Sequence, residues 1–188
     1  MKNKLHVLQV NDVPKGLDYK EIKRILREIE NKQGPVKFGE NELFFKRSDV
    51  FSNNDREELL YQFKWLKKSR GIKGVNVPKP LVFVKLGEIT GYIMERVNGK
   101  NLEELIKTNT PELARNFSQI IKKVLKQINI LHREGMQHGD IDERNILLDD
   151  KGEVFLIDPY KHDDPGVAKV DDIERLRHIE STFSTNKR

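Results

Sequence analysis

His138-Gly139-Asp140-Ile141-Asp142-Glu143-Arg144-Asn145-Ile146-Leu147-Leu148, with Val154-Phe155-Leu156-Ile157-Asp158 a few residues on, decides how this chain is read. One polar loop carries an Asp and an Asn, and a second Asp closes an apolar run. The runs Asn145 to Leu148 and Val154 to Ile157 read as a hairpin about Asp149-Asp150-Lys151-Gly152. Pairing them holds Asn145 and Asp158 close together on ordered backbone.

Working outward, the residues before this stretch read as helices. Thr110-Pro111 starts the longest, with Pro at the first helical position. Leu113, Phe117, Ile120, Ile121, Val124, Leu125, Ile128 and Leu131 line one side of it, and Gly135 ends it. Asn101 with Glu104 forms a capping box that opens a shorter helix, after a hinge at Asn98-Gly99-Lys100. Beyond the hairpin, a last helix is expected from about Val170 to Thr182.

The N-terminal part reads as strands with two helices. Leu5 to Val10 alternates like a strand. Ile22, Ile25, Leu26 and Ile29 recur at helical spacing between Tyr19 and Glu30, and Gly34-Pro35 stops that helix. Strands are expected over Val36 to Glu40 and Leu43 to Arg47, joined by a turn at Glu40-Asn41. A helix over Asn54 to Lys68 follows, capped by Asn54 with Glu57 and apolar through Leu59, Leu60, Phe63 and Leu66. Leu81 to Leu86 and Thr90 to Glu95 complete the strands.

With 188 residues, 36% of them hydrophobic, the chain is long enough for one domain or two small lobes with a real core. The net charge of +5 suits anionic ligands, but basic residues alternate with acidic ones. That mixing does not make a nucleic-acid groove, so no nucleic-acid partner is expected. There is no Cys, which excludes disulfides and cysteine-ligated zinc. Few apolar residues follow the basic start Met1-Lys2-Asn3-Lys4, and no run reaches the length of a membrane span. A cytoplasmic location is expected.

Phosphoryl transfer asks a protein for cations on the phosphates, a positioned hydroxyl and a group to take its proton. Asp140 can take the proton. Asn145 and Asp158 are hard oxygen donors of the kind Mg²⁺ prefers. Lys46, closing Leu43-Phe44-Phe45, can reach nucleotide phosphates from the opposite lobe. Singly these residues are ordinary: a loop Asp is usually a cap and a strand-end Lys is usually solvated. His138 reads as a packed, hydrogen-bonded core residue. What points to this chemistry is their combination and order.

The stretch resembles the catalytic loop and metal-binding segment of the protein-kinase superfamily, H-x-D-x-x-x-x-N followed by the Asp of D-F-G. His138, Asp140 and Asn145 match the loop and Asp158 matches the later Asp. Tyr92 to Gly99 resembles the hinge that binds adenine, and Leu102 to Ile106 follows it as in family members. Leu131-His132-Arg133-Glu134-Gly135 resembles the end of the helix before the loop. Val170 to Leu176 resembles the helix whose Asp braces the loop, with Asp172 the better match. The likeness runs over residues 36 to 182 in order.

The resemblance implies an α+β, bilobal, protein-kinase-like fold: one domain over 1–188, with a small β-rich N-lobe (1–96) and a minimal helical C-lobe (97–188). It implies ATP and Mg²⁺ as cofactors and a hydroxyl acceptor, on a protein or a small molecule. Asp140 becomes the catalytic base, Asn145 and Asp158 the magnesium ligands, and Lys46 the partner of the α- and β-phosphates. Glu95 and Val97 supply backbone contacts to adenine. Glu58 is the expected partner of Lys46, with Glu57 taken up by the capping box.

The departures from the family pattern matter too. There is no G-x-G-x-x-G. Gly139 replaces the Arg common before the catalytic Asp, and Asp142 stands where many members carry a Lys. Asp142 repels phosphate unless it binds metal, a basic substrate or Arg144. Asp158-Pro159-Tyr160 replaces D-F-G, and the distance to Asp172 is too short for a long peptide-docking segment. These traits are similar to those of compact, atypical kinases: RIO-like, archaeal-type, lipopolysaccharide and aminoglycoside kinases. An atypical serine/threonine protein kinase is the leading expectation. A sugar or lipopolysaccharide-type kinase and a nucleotide-binding pseudokinase are the alternatives.

Overall fold

The computed structural model describes residues 5–9, 15–29, 33–47, 53–86, 89–108 and 110–185. They divide into two compact units, Met1–Lys67 with Pro78–Arg96, and Lys68–Val77 with Val97–Arg188. Residues 68–77, inside the expected N-lobe range, thus group with the second unit.

The first unit is a five-stranded antiparallel sheet with two helices. Its strands are β1 (Leu5–Gln9), β2 (Gly34–Phe38), β3 (Asn41–Arg47), β4 (Pro80–Leu86) and β5 (Ile89–Glu95), in the order β1-β4-β5-β3-β2. Helix α1 (Tyr19–Glu28) is capped by Asp18, whose carboxylate accepts the Glu21 N–H at 2.9 Å. It buries Ile22, Ile25 and Leu26 with Val36, Leu43, Phe45, Val82, Val84 and Ile93 of the strands. Successive strand residues point to opposite faces. The face away from α1 therefore holds Phe83, Tyr92 and Lys46, which are cross-strand partners in turn. Helix α2 (Asn53–Ser69) packs there through Phe63, whose ring lies 5.6 Å from Phe83 and 5.9 Å from Tyr92.

The second unit combines helices with a three-stranded sheet. The strands are β6 (Gly99–Asn101), β7 (Ile146–Asp149) and β8 (Val154–Leu156), paired antiparallel in that order. Helix α3 (Leu102–Thr108) follows β6, with Asn101 accepting the Glu104 N–H at 2.8 Å. Helix α4 (Pro111–Arg133) begins at the Thr110 cap and closes with Met136 N–H donating to Leu131 and Gly135 N–H to His132. Buried Gln127 on α4 ties the unit together: its oxygen accepts the Asn76 N–H and its nitrogen donates to the Val154 carbonyl. Helix α5 (Pro165–Thr185) packs on α4, with Phe117 stacked on Phe183 at 3.7 Å.

Several sequence expectations shift. The N-terminal helix ends at Glu28, and Gly34-Pro35 lies inside β2 rather than at a helix stop. The hairpin turn is Gly39-Glu40, one residue early, because Phe38 pairs with Asn41. Asn98-Gly99-Lys100 is partly strand: β6 lies so close to β7 that a Cβ on Gly99 would sit 1.9 Å from the Leu148 carbonyl oxygen. Helix α5 begins at Pro165, not Val170, because Asp164 caps it by accepting the Gly166 and Val167 N–H groups. Leu125, placed in the apolar stripe of α4, is exposed, whereas Trp65 on α2 is buried. The expected cap Asn54 falls within α2, with a side chain outside the described residues, and Val10 and Glu30 lie outside them too.

Candidate active site

The polar loop between α4 and β7 is built on one buried carboxylate. Asp172, fully buried on α5, accepts the backbone N–H of His138 at 2.9 Å and of Gly139 at 2.8 Å. His132 at the end of α4 donates to the same carboxylate at 3.0 Å. A buried carboxylate is tolerated when its oxygens are saturated with donors of this kind. The loop is held from its other side by backbone and imidazole. Tyr160 N–H donates to the His138 carbonyl at 2.9 Å, and His162 Nε2 donates to the Gly139 carbonyl at 2.9 Å.

Between these clamps Gly139 adopts φ +82°. A Cβ there would meet the Tyr160 carbonyl oxygen at 2.3 Å, so only Gly fits both the dihedral and the gap. The Arg common in the family at this point is therefore excluded by sterics. His138 is buried, as expected for a packed core residue. Its Nδ1 accepts the Asp140 N–H at 3.3 Å while Nε2 donates to the Ile157 carbonyl at 2.9 Å. That fixes a neutral tautomer, and burial pushes its pKa below the ordinary 6.5.

Asp140 and Asn145 meet directly. The Asn145 amide nitrogen donates to the Asp140 carbonyl at 3.0 Å and to its carboxylate at 2.9 Å. Using both amide hydrogens this way turns Oδ1 of Asn145 to the other side, as an oxygen donor. Asn145 also closes the short helical turn Glu143–Asn145, capped by Asp142. Asp142 itself is taken by Arg144, whose Nε and Nη2 reach its two oxygens at 2.7 and 3.2 Å. That guanidinium holds the Asp142 carboxyl below its usual range. The acid therefore meets Arg144, one of the partners foreseen for it.

Asp158 is joined to Asn145 through backbone. The Ile157 N–H donates to the Asn145 carbonyl at 3.0 Å, as the hairpin of β7 and β8 requires. Asp158 takes φ 55°, a dihedral uncommon outside Gly though Asp tolerates it, between the bonded neighbours Ile157 and Tyr160. Just ahead of Pro159, where the helical region is disfavoured, that dihedral is held by the surrounding backbone bonds.

In the first unit, Lys46 lies half-buried on β3, on the face that α2 covers. Its cross-strand partner Tyr92 reaches α2 through the Gln62 side chain at 3.3 Å. Glu58 stands one turn before Gln62 on α2 and is half-buried, whereas Glu57 is exposed. The Glu95 N–H donates to the Lys79 carbonyl at 2.9 Å, which leaves its carbonyl as the group Glu95 can offer a ligand. Val97 follows in the connection between β5 and β6.

His132, His162 and Arg175 join the loop as well, beyond the residues expected from the sequence. Arg175 Nη1 donates to Asp140 Oδ1 at 3.1 Å. Its signal was available: it lies three residues after Asp172, on the same side of the helix.

Two outcomes follow from this loop. Gly139→Ala lowers unfolding free energy by more than about 2 kcal/mol, since a strained dihedral and a backbone clash add; urea denaturation checks it, and an unchanged midpoint contradicts it. His138 stays neutral when folded but charges near pH 6.5 when unfolded. Stability is therefore present above that pH and is lost as pH falls below it, by at most about 1.4 kcal/mol per pH unit. Urea titrations of the wild type and His138→Gln from pH 7.5 to 5.5 read this as a steeper loss in the wild type; parallel slopes contradict it.

Known proteins share stretches of this sequence. A family profile described as protein kinase domain matches residues 64–170, more than half of the chain. A probable serine/threonine-protein kinase of Clostridium perfringens (strain 13 / Type A) is 30% identical over 140 residues, 73% of this chain and 19% of that protein. A probable serine/threonine-protein kinase of Dictyostelium discoideum is 37% identical over 79 residues, covering 42% and 13%. A 3-deoxy-D-manno-octulosonic acid kinase of Xylella fastidiosa (strain M23) is 33% identical over 91 residues, covering 46% and 34%. The chain thus spans about a third or less of the length of these relatives. A matching profile over most of the α2-to-α5 region, on an α+β fold with an antiparallel N-terminal sheet, places the chain in the protein kinase family.

Proposed function

We propose that this protein is an ATP- and magnesium-dependent phosphotransferase acting on a hydroxyl group. The chain would then be one kinase-like domain, an N-lobe within 1–96 and a reduced C-lobe over 97–188, with residues 68–77 belonging to the latter as the contacts within each unit divide them. The observation that carries the reading is the Asp140–Asn145 contact. It commits the amide nitrogen of Asn145 inward and leaves an oxygen as the outward donor, on backbone hydrogen-bonded to the residue before Asp158. Mg²⁺ favours such hard oxygen ligands in small number, completed by phosphate and water. Bound Mg-ATP supplies the transferable phosphoryl group and the counter-charge.

The residues then divide the work. Asp140 accepts the proton of the acceptor hydroxyl. Asn145 and Asp158 hold the metal. Lys46 neutralises the α- and β-phosphates, and Glu58 orients Lys46 from the helix face that covers it. The Glu95 carbonyl and the backbone of Val97 hold adenine. His138 stays neutral and structural. A cytoplasmic location, with ATP at hand, goes with this reading.

The acceptor is a serine or threonine hydroxyl of a protein, a reading supported by the names of the Clostridium and Dictyostelium relatives. One observation favours a small carboxylated sugar instead. Helix α5 starts at Pro165, seven residues after Asp158, which leaves little chain on which to dock a peptide. The relative named as a 3-deoxy-D-manno-octulosonic acid kinase points the same way. A transfer assay with labelled ATP across protein and sugar acceptors decides between them.

Asp140→Ala is expected to lower phosphate transfer, autophosphorylation included, by about 10²- to 10⁴-fold. Asp158→Ala abolishes the Mg²⁺-dependent part of it. Both variants keep the wild-type circular dichroism spectrum. Transfer at the wild-type rate in either variant rules the reading out. Wild-type protein that binds nucleotide without turnover supports the pseudokinase alternative.

A further inference from the structure

We infer that Arg175 is a positioning residue that sets the rotamer of the Asp140 carboxylate, and that one face of α5 thereby aligns the loop's backbone and its reactive side chain together. This rests on the phosphotransferase reading above and deepens it. Asp172 and Arg175 are three residues apart on α5 and so share a face. Asp172 takes the N–H groups of His138 and Gly139, and Arg175 takes Oδ1 of the next residue, Asp140, at 3.1 Å. Three consecutive loop residues are thus held from one helical turn.

The carboxylate is fixed from both ends. Oδ2 accepts from the Asn145 amide at 2.9 Å and Oδ1 accepts from Arg175. Each carboxylate oxygen can accept two hydrogen bonds, so Oδ1 keeps a lone pair for an acceptor hydroxyl while Arg175 stays bound. Without Arg175, the Asn145 contact alone among the described residues orients the group, and it turns about its side-chain bonds. Misplacing a reacting group by about 1 Å costs on the order of 10²-fold in rate. The same ion pair does little for folding, since Arg175 is 49% exposed and Asp140 37%.

The test uses the full chain with Mg-ATP, reading autophosphorylation and ATP hydrolysis, in wild type, Arg175→Ala, Arg175→Lys and Asp140→Asn. Arg175→Ala is expected to lower kcat about 10- to 100-fold, with KM for Mg-ATP within about twofold. Its melting temperature moves by less than about 3 °C. Arg175→Lys recovers part of the lost kcat, because an ammonium still reaches Oδ1 as a point charge. In the Asp140→Asn background, Arg175→Ala costs nothing further. Guanidinium ¹⁵N spectra give an activity-independent reading: a restrained Arg175 signal that disappears in Asp140→Asn. Transfer that requires Asp140 but ignores Arg175 overturns this inference alone, as does a freely rotating Arg175 guanidinium. A wild type without any turnover overturns the phosphotransferase reading and this inference with it.

Discussion

The carboxylate of Asp172 is the point on which the loop's geometry turns. It lies fully buried on α5 and accepts two consecutive backbone N–H groups of a loop with no regular structure to satisfy them. A buried charge of this kind is costly unless its lone pairs are filled, and His132 fills another. Pulling His138 and Gly139 onto one carboxylate sets the direction in which Asp140 leaves the loop. The positive φ of Gly139 and the Tyr160 carbonyl packed against it follow from the same tight turn. The loop's polar groups are then satisfied in series, from His138 through Asn145 to the backbone beside Asp158.

Much of this was legible because the determining signals are local and ordered. The sequence runs H-G-D, then Asn, then a hairpin, then Asp, and each step has a residue type that the geometry needs. Asp172 could be chosen over Asp171 from its place in the motif, and the structure buries Asp172. The same order of residues led to Asn145 and Asp158 as candidate metal ligands, and in the structure their backbones are joined through the Ile157 N–H to the Asn145 carbonyl. What the sequence left open depends on helical phase and on distant partners. Glu58 and Glu57 differ only in which side of α2 meets the sheet, and that follows from Phe63 packing on Phe83 and Tyr92. Gly99 looked like a hinge because a strand at that point depends on Leu148, almost fifty residues away. The start of α5 was misplaced because Gly166 hides the Asp164-Pro165 cap signal.

The departures from the common kinase pattern form a consistent set. Gly139 removes an Arg that has no room beside Tyr160. Asp142 is turned from a repulsive acid into an ion-pair partner by Arg144, two residues on. Arg175 approaches Asp140 from α5, across the short segment that follows Asp158. Around Asp140, charge is thus balanced in pairs, Arg144 with Asp142 and Arg175 with Asp140. Within the described residues, α5 contacts this loop at both Asp172 and Arg175.

The central claim is that the outward oxygen of Asn145 and the carboxylate of Asp158 meet one divalent ion beside Asp140. The most direct measurement is paramagnetic relaxation in NMR, with Mn²⁺-ADP added to isotope-labelled protein. The account predicts that the Asn145 side-chain amide and the backbone signals of Asp140 and Asp158 broaden first, and that Asp158→Asn weakens the effect. If those signals stay sharp while others broaden, the metal binds elsewhere and the account is contradicted.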